Sequence, residues 1–315
     1  MSTPNPIIGG LPNHVAEGLS EVVMSASSEA NARTLVANLR NPASHRPWIS
    51  ASSSPIADAS FQWHYGGASR SADHVGLFGV DLPFDSDFQL ELFGGQTVDV
   101  GDPVYDSTRL PTWYPYFTPG AGGGTLPWGQ FIWGGRAPQD VLQNFPRNIL
   151  IPLLAADGLS LQPIQHASGR FTFRTANPVT SQTYWRVNYL DVSEAWMSSC
   201  PPAWGRERNG REWTLSERGP AGHFKSTARG YSPGHSFGFN SLTLTESLHR
   251  VERLNAAIGT VSPLVLILEP HHPENFWRDA GLYRLNSLIK ASVQPRWRFG
   301  RPVWKTNKLQ MEAWS

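Results

Sequence analysis

The 315-residue chain is poor in cysteine, in lysine and in charge, and it has no long apolar run. Its single cysteine, Cys200, cannot form an internal disulfide, so the fold needs no redox help. Charged residues make up 16% of the chain, against a usual figure of about 25%. No apolar stretch approaches the ~20 residues of a membrane-spanning helix. The longest candidates, Asn148–Ala156 and Pro263–Leu268, are strand-sized. The N-terminus, Met1-Ser-Thr-Pro-Asn-Pro-Ile-Ile-Gly-Gly10, shows no basic segment followed by a long apolar one, so no signal peptide is expected. What the chain does have is 13 Trp, 15 Phe and 8 Tyr, ample apolar area for a core. With that core material, its 29 Gly and 26 Pro are too few for a disordered or collagenous chain.

The net charge of +1 hides an asymmetry. Residues 1–160 hold 14 acids and 7 bases, a net of −7; residues 161–315 hold 11 acids and 19 bases, a net of +8. Such a split either marks opposed faces that meet neighbouring copies or other subunits, or means only that two domains differ. The bases are scattered arginines, and no helix carries a basic stripe, so nucleic acid is not an expected partner.

Residues 1–30 are rich in Ser, Ala, Pro and Gly and read as an extended arm, with a short turn of helix near Ala16–Val23. From Thr34 onward short strands are expected. Thr34–Leu39 and Pro47–Ser50 come first, and Ser60-Phe-Gln-Trp-His-Tyr65 alternates with period two. His74–Val80 reads as a buried strand, and Asp87–Phe93 places Phe88, Leu90 and Leu92 on one face. Arg170–Arg174 and Tyr184–Tyr189 complete the set. Many short strands punctuated by turn residues predict an all-β architecture: a jelly-roll-like antiparallel β-sandwich over residues 31–195. Inside it lies a long aromatic segment, 111–152.

A second β-rich unit with one packed helix is expected over 196–315. The helix spans Thr245–Ile258, with Thr243-Leu-Thr-Glu246 as its capping box and Gly259 as its stop. Leu244, Leu248, Val251, Leu254 and Ile258 recur at helical spacing and predict the buried face. Strands Leu264–Leu268, Gly281–Ile289 and Lys308–Trp314 follow.

These patterns carry a resemblance. Asn38-Leu-Arg-Asn-Pro42 before Trp48, then Trp63, Asp73-His-Val-Gly-Leu-Phe-Gly79 and Tyr184-Trp-Arg-Val187 resemble the discoidin-type, galactose-binding-like jelly rolls of bacteriophage tail-tip proteins. The C-terminal order of a strand at Phe237–Leu244, one helix, a buried strand, a Gly-led strand and a terminal strand is similar to that of phage minor tail proteins. The resemblance implies a structural component of a tail tip or baseplate that holds neighbouring subunits together. Other tail proteins and copies of the chain would be its partners, in a virion assembled in the host cytoplasm. Its alternative is a host-glycan-binding module that aids adsorption, and a glycan-degrading enzyme ranks third.

Catalytic candidates are weak. Gly234-His-Ser236-Phe-Gly238 matches the G-x-S-x-G elbow, but no buried strand precedes it and no helix follows, so it reads as a loop. Glu269-Pro-His-His-Pro-Glu274 holds metal-capable side chains on a proline-broken loop, without the i, i+4 histidines of a helical zinc site. Asp85 with Asp87, or Asp99, Asp102 and Asp106, can serve a carboxylate pair only if folding brings two together; the loop set also suits Ca²⁺. Gly120–Gly124 lacks the Lys-Ser/Thr of a phosphate loop. The expectation is no enzyme, no resident metal and no cofactor, with Ca²⁺ the one ion in question.

The aromatic segment is the most informative feature. Trp113, Tyr114, Tyr116, Trp128 and Trp133 sit on Pro- and Gly-rich backbone, and such a long connection is usually functional or clamped. Their rings suit a subunit interface, a sugar platform or burial against the sandwich. All three readings stay open, with the interface and glycan-contact roles making these five the candidate site residues.

Overall fold

The computed structural model describes residues 5–16, 19, 21–42, 46–83, 86–98, 100–111, 114–115, 143–144, 148–155, 160–175, 182–203, 207–218, 224–270, 280–298 and 301–313. Strands dominate them, and the chain divides into two compact units. One comprises residues 13–194 and 271–280; the other comprises 1–12, 195–270 and 281–315.

The first unit is the antiparallel sandwich. One sheet runs in the order Val23–Ala26, Ala59–His64, Ser168–Thr175, Ser86–Phe93 and Tyr105–Asp106, with Leu110–Pro111 also pairing to Ser86–Phe93. The facing layer pairs Asn148–Pro152 with His74–Phe78, and His74–Phe78 with Tyr189–Met197. Alternation works as the sequence predicts. Phe61, Trp63, Phe88, Leu90, Leu92, Phe171 and Phe173 point inward and meet Val75, Leu77, Ile149, Ile151, Leu190 and Val192 in one core. The strand His74–Phe78 is buried at every residue. Gly169 is obligatory, since a Cβ there would stand 2.3 Å from the Trp63 ring.

Three indoles sit inside this core, and each finds a hydrogen-bond acceptor. Trp48 Nε1 donates to Ser28 O (3.2 Å), Trp185 Nε1 to Ala57 O (2.8 Å), and Trp63 Nε1 to the Tyr65 hydroxyl (3.2 Å). Because Tyr65 accepts from Trp63, its own O–H is left to donate to His166 Nε2, 3.0 Å away. The His166 proton then belongs on Nδ1, which faces the carbonyl of Ile164 at 3.2 Å. This relay holds a neutral imidazole, and burial lowers its pKa to about 4. Burial also lowers His14, whose Nε2 lies 2.8 Å from Ser71 O.

Two expectations for this unit change. Thr34–Leu39 is not a strand; Val36–Arg40 forms a 3₁₀ helix that buries Val36 and Leu39 one turn apart. Arg40 holds it there, donating to the carbonyls of Val15 (3.1 Å), Ala16 (2.9 Å) and Leu19 (2.6 Å). Residues 1–30 contain two strands, Ile7–Asn13 and Val23–Ala26. Ile7 and Ile8 are fully buried, and their strand pairs antiparallel with Leu264–Ile267, so apolar burial and backbone pairing order this part of the expected arm.

In the second unit the sheet runs Ile7–Asn13, Leu264–Ile267, Ala280–Leu285, Leu309–Ala313, Phe224–Phe237 and Glu207–Arg218. The last two form a hairpin whose outer reach pairs only with itself among the described residues, because Leu309–Ala313 touches just Gly234–Phe237. A second hairpin, Ala291–Arg298 with Arg301–Thr306, stands as a two-stranded sheet of its own.

The helix follows its capping box. Glu246 receives the Thr243 N–H (3.0 Å) and hydroxyl (2.9 Å), while Thr243 Oγ1 accepts the Glu246 N–H (3.2 Å). Glu246 also accepts from Trp196 Nε1 and Ser199 N. Burial alone would raise this carboxyl, but the hydrogen bonds from Ser199 and Thr243 outweigh it and hold the pKa below its usual value. Because Thr243 caps the helix, the strand expected over Phe237–Leu244 ends at Phe237. The helix face also differs from the 3.6-residue projection. Residues Glu246–Val251 form a π-helical turn before the α-helix Glu252–Ala257, and the wider turn shifts the phase. Ser247 is buried where Leu248 was expected, and Leu248 is 38% exposed. Val251, Leu254 and Ile258 do pack on Leu264, Leu266, Leu285 and Ile289.

Leu254, fully buried, should therefore lose about 2–5 kcal/mol on Leu254→Ala, whereas Leu248→Ala should cost under about 1 kcal/mol. Denaturant midpoints read both; equal losses would mean the helix face is misassigned.

The relay makes a pH prediction for the first unit. The folded pKa of His166 lies below the unfolded value, so the unfolded chain binds more protons between about 6.5 and about 4. Stability is then complete above about pH 6.5 and lost as pH falls toward about 4, with His14 adding in the same direction. Urea unfolding at pH 7 and pH 4.5 should differ by about 2–3 kcal/mol on this account. His166→Gln should flatten the profile by that amount, and an unchanged slope would remove His166 as its cause.

Candidate functional site

Most residues singled out from the sequence cannot be followed. Trp113, Tyr116, Trp128 and Trp133 lie outside the described residues, as do Asp85, Asp99, His271, His272 and Glu274. Tyr114 belongs to a short strand, Tyr114–Pro115, paired with Gln143–Asn144. Among the described residues no three His, Cys, Asp or Glu side chains gather as a metal-holding group, and no helix is long and apolar enough to cross a membrane.

The serine candidates turn out to be structural. Gly234–Phe237 is not a loop but the end of a strand hydrogen-bonded on both sides, and Ser236 is buried within it. Its neighbour His235 faces the Tyr283 hydroxyl at 3.2 Å, not a serine. Ser193, His74 and Asp191 do come together in the first unit. However, Ser193 Oγ donates to Asp191 Oδ1 (2.6 Å), and His74 Nδ1 is 3.5 Å from that hydroxyl. His74 Nε2 lies 3.0 Å from Asp191 Oδ1, and Tyr189 donates to the other carboxylate oxygen (3.3 Å) while accepting from Asn13 Nδ2 (2.7 Å). All three members are buried, so no substrate reaches them. Desolvation also pushes the Tyr189 phenol well above its usual pKa. The cluster ties three strands together.

The outward face of the six-stranded sheet of the first unit is different. Sheet pairing puts five polar residues directly opposite one another: Ser25 beside Gln62, Gln62 beside Arg170, Arg170 beside Glu91, and Glu91 beside Asp106. With strands about 4.8 Å apart the row spans about 19 Å. Parallel to it runs Ser60, Thr172, Gln89. Cross-links fix these side chains. Gln62 Nε2 donates to Ser25 Oγ (3.0 Å), Arg170 Nε and Nη2 donate to Glu91 Oε2 (2.9 and 2.7 Å), and Gln89 Nε2 donates to Asp106 Oδ1 (2.9 Å). The Arg170 guanidinium also lies 5.8 Å from the Phe93 ring centroid. Ser25 and Asp106 are exposed and Gln62, Arg170 and Glu91 half-buried, so the row presents polar side chains on the outward face of the sheet.

The sequence signal for this ladder was half visible. Gln62, Glu91 and Arg170 occupy the polar positions of alternating strands, but nothing local says which polar residue lies opposite which.

No protein-family model matches the sequence, and no curated protein does. Solved structures give distant likenesses over part of the chain. A chitosan-binding module 1 of a chitosanase/glucanase from Paenibacillus sp. IK-5 matches at 14% identity and TM-score 0.31, covering 57% of this chain and 98% of that one. A family 32 carbohydrate-binding module of Clostridium perfringens NanJ, in complex with galactose, matches at 11% identity and TM-score 0.33, over 56% of this chain and 96% of that one. A further module, CBM32-3 from a family 31 glycoside hydrolase of Clostridium perfringens, matches at 14% identity and TM-score 0.33, over 57% and 94%. Likeness this distant carries no argument about what this chain binds.

Proposed function

We propose that the sandwich unit is a carbohydrate-binding module, with the polar ladder Ser25, Gln62, Arg170, Glu91 and Asp106 as part of its contact surface. The ladder is the observation that carries this reading. Sugar hydroxyls both donate and accept, and a surface that recognises them needs both kinds of group held in place before binding. The ladder alternates amide, guanidinium, carboxylate and hydroxyl groups, and cross-strand hydrogen bonds already restrain its rotamers. Binding then costs little side-chain entropy. The aromatic residues Trp113, Tyr114, Tyr116, Trp128 and Trp133 supply flat apolar faces in the same reading, suited to the C–H side of a sugar ring.

The tail-tip role implied by the sequence resemblance gains no support from the fold or the comparisons. Glycan binding, its alternative, is the reading retained.

A glycan array on the purified protein tests it first, followed by calorimetric titration of the strongest glycan. Gln62→Ala with Thr172→Ala should weaken that binding about tenfold, the worth of one or two hydrogen bonds, and leave the melting temperature in place. Trp128→Ala with Trp133→Ala should abolish binding without unfolding the protein. Failure to bind any glycan, or full affinity in both variants, would overturn the proposal.

A further inference from the structure

Two histidines from separate segments meet at the ring of Tyr65. His14 lies edge-on to it, with centroids 6.4 Å apart and planes at 82°, and His166 does the same at 5.3 Å and 65°. His14 follows Ile7–Asn13, Tyr65 follows Ala59–His64, and His166 ends Ile164–His166. All three side chains are buried. The two histidines also hold the short segment 66–72. His14 Nε2 lies 2.8 Å from Ser71 O, and a carbonyl only accepts, so Nε2 carries the proton. Strand Arg70–Ala72 pairs only with Ile164–His166 among the described residues, and Arg70 stands opposite His166.

The rest of this segment is lightly held. Gly66 and Gly67 have φ of 61° and 113°, and both are exposed. Ala68 O accepts from Gln96 Nε2 (3.1 Å), and Arg70 pairs at the surface with Glu21. Ala72 alone of the segment belongs to the core. A three-residue strand with one partner opens more readily than the central strands of a packed sheet.

The arrangement requires both rings to be neutral. His166 Nε2 receives the Tyr65 O–H, and Tyr65 receives the Trp63 N–H. A proton added at His166 Nε2 points back at Tyr65 and leaves the buried phenol O–H without its acceptor. Charging His14 sets a cation near Arg70 and against a charged His166, while Glu194 and Asp191 of strand Tyr189–Met197 offset part of that repulsion. Arg70 and Asp191 also act on Tyr65. Burial disfavours the charged form of both imidazoles from the start. We propose that residues 66–72 form an acid-released flap, latched beside Tyr65 through His14 and His166 and opening locally while the sandwich stays folded. Moving the flap aside takes Ser71 off His14 and Arg70 off His166, so water reaches the rings and protons favour the open form. Acid then acts on this segment before it unfolds the unit. The flap does not depend on glycan binding.

Amide hydrogen exchange of the full chain, read as protection factors from about pH 7.5 to about pH 5, is the test. A ring that is neutral when closed and protonated when open raises the logarithm of the opening constant by up to about one per pH unit. The amides of 70–72 should therefore lose about tenfold or more of their protection, beyond any loss at Phe171 and Phe173. His14→Gln and His166→Gln should each cut the steepness by about half, and the double variant should remove it. If the double variant melts early, His14→Gln alone decides, because a glutamine amide can still donate to Ser71 O and only the titration is lost. Equal losses at 70–72 and at Phe171 would report global unfolding and overturn the proposal. So would protection at 70–72 that ignores pH, or a slope that His14→Gln leaves unchanged.

Discussion

The sandwich depends on burying tryptophan without stranding its N–H. Trp48, Trp63 and Trp185 are fully buried, and each indole needs an acceptor inside a core that is otherwise apolar. The acceptors are the Ser28 carbonyl, the Ala57 carbonyl and the Tyr65 hydroxyl. Trp63 has a further requirement, a neighbour with no side chain, which Gly169 on the adjacent strand meets. Strand register, loop path and the neutral tautomer of His166 all follow from placing these rings.

Around the rings the aromatic contacts are dense. Phe173 stacks on Trp185 at 5.6 Å and on Phe171 at 6.2 Å, and Trp48 meets Phe61 edge-on at 5.2 Å. A core built this way is rigid, and the outward face of the same strands inherits that rigidity. The polar ladder is therefore a consequence of the core: fixed backbones set Gln62, Arg170 and Glu91 at sheet spacing, and cross-strand hydrogen bonds do the rest. The second unit is organised differently. Its apolar packing is concentrated where the helix meets Leu264–Ile267 and Ala280–Leu285.

Local interactions made some of this legible in advance. The capping box at Thr243 and Glu246 spans four residues, so sequence alone contains every group involved. Period-two alternation at Phe61, Trp63, Phe88, Leu90 and Leu92 reports a half-buried sheet directly. Leu248 misled because a π-helical turn breaks the 3.6-residue phase, and its first residue, Glu246, is bonded by Trp196 and Ser199, remote in sequence. Thr34–Leu39 misled because Arg40 binds carbonyls of residues 15–19, again a remote contact.

By itself the sequence determined an all-β chain, its alternating strands, one capped helix and the opposed charge of its two halves. These are properties of composition and of neighbours within a few residues. Only the tertiary structure decided that Ile7–Asn13 pairs with Leu264–Ile267 across most of the chain, that Ser236 is a buried strand residue, and which polar side chains stand opposite one another. Register and burial come from contacts between distant segments, where the same local pattern fits many partners and packing alone selects one.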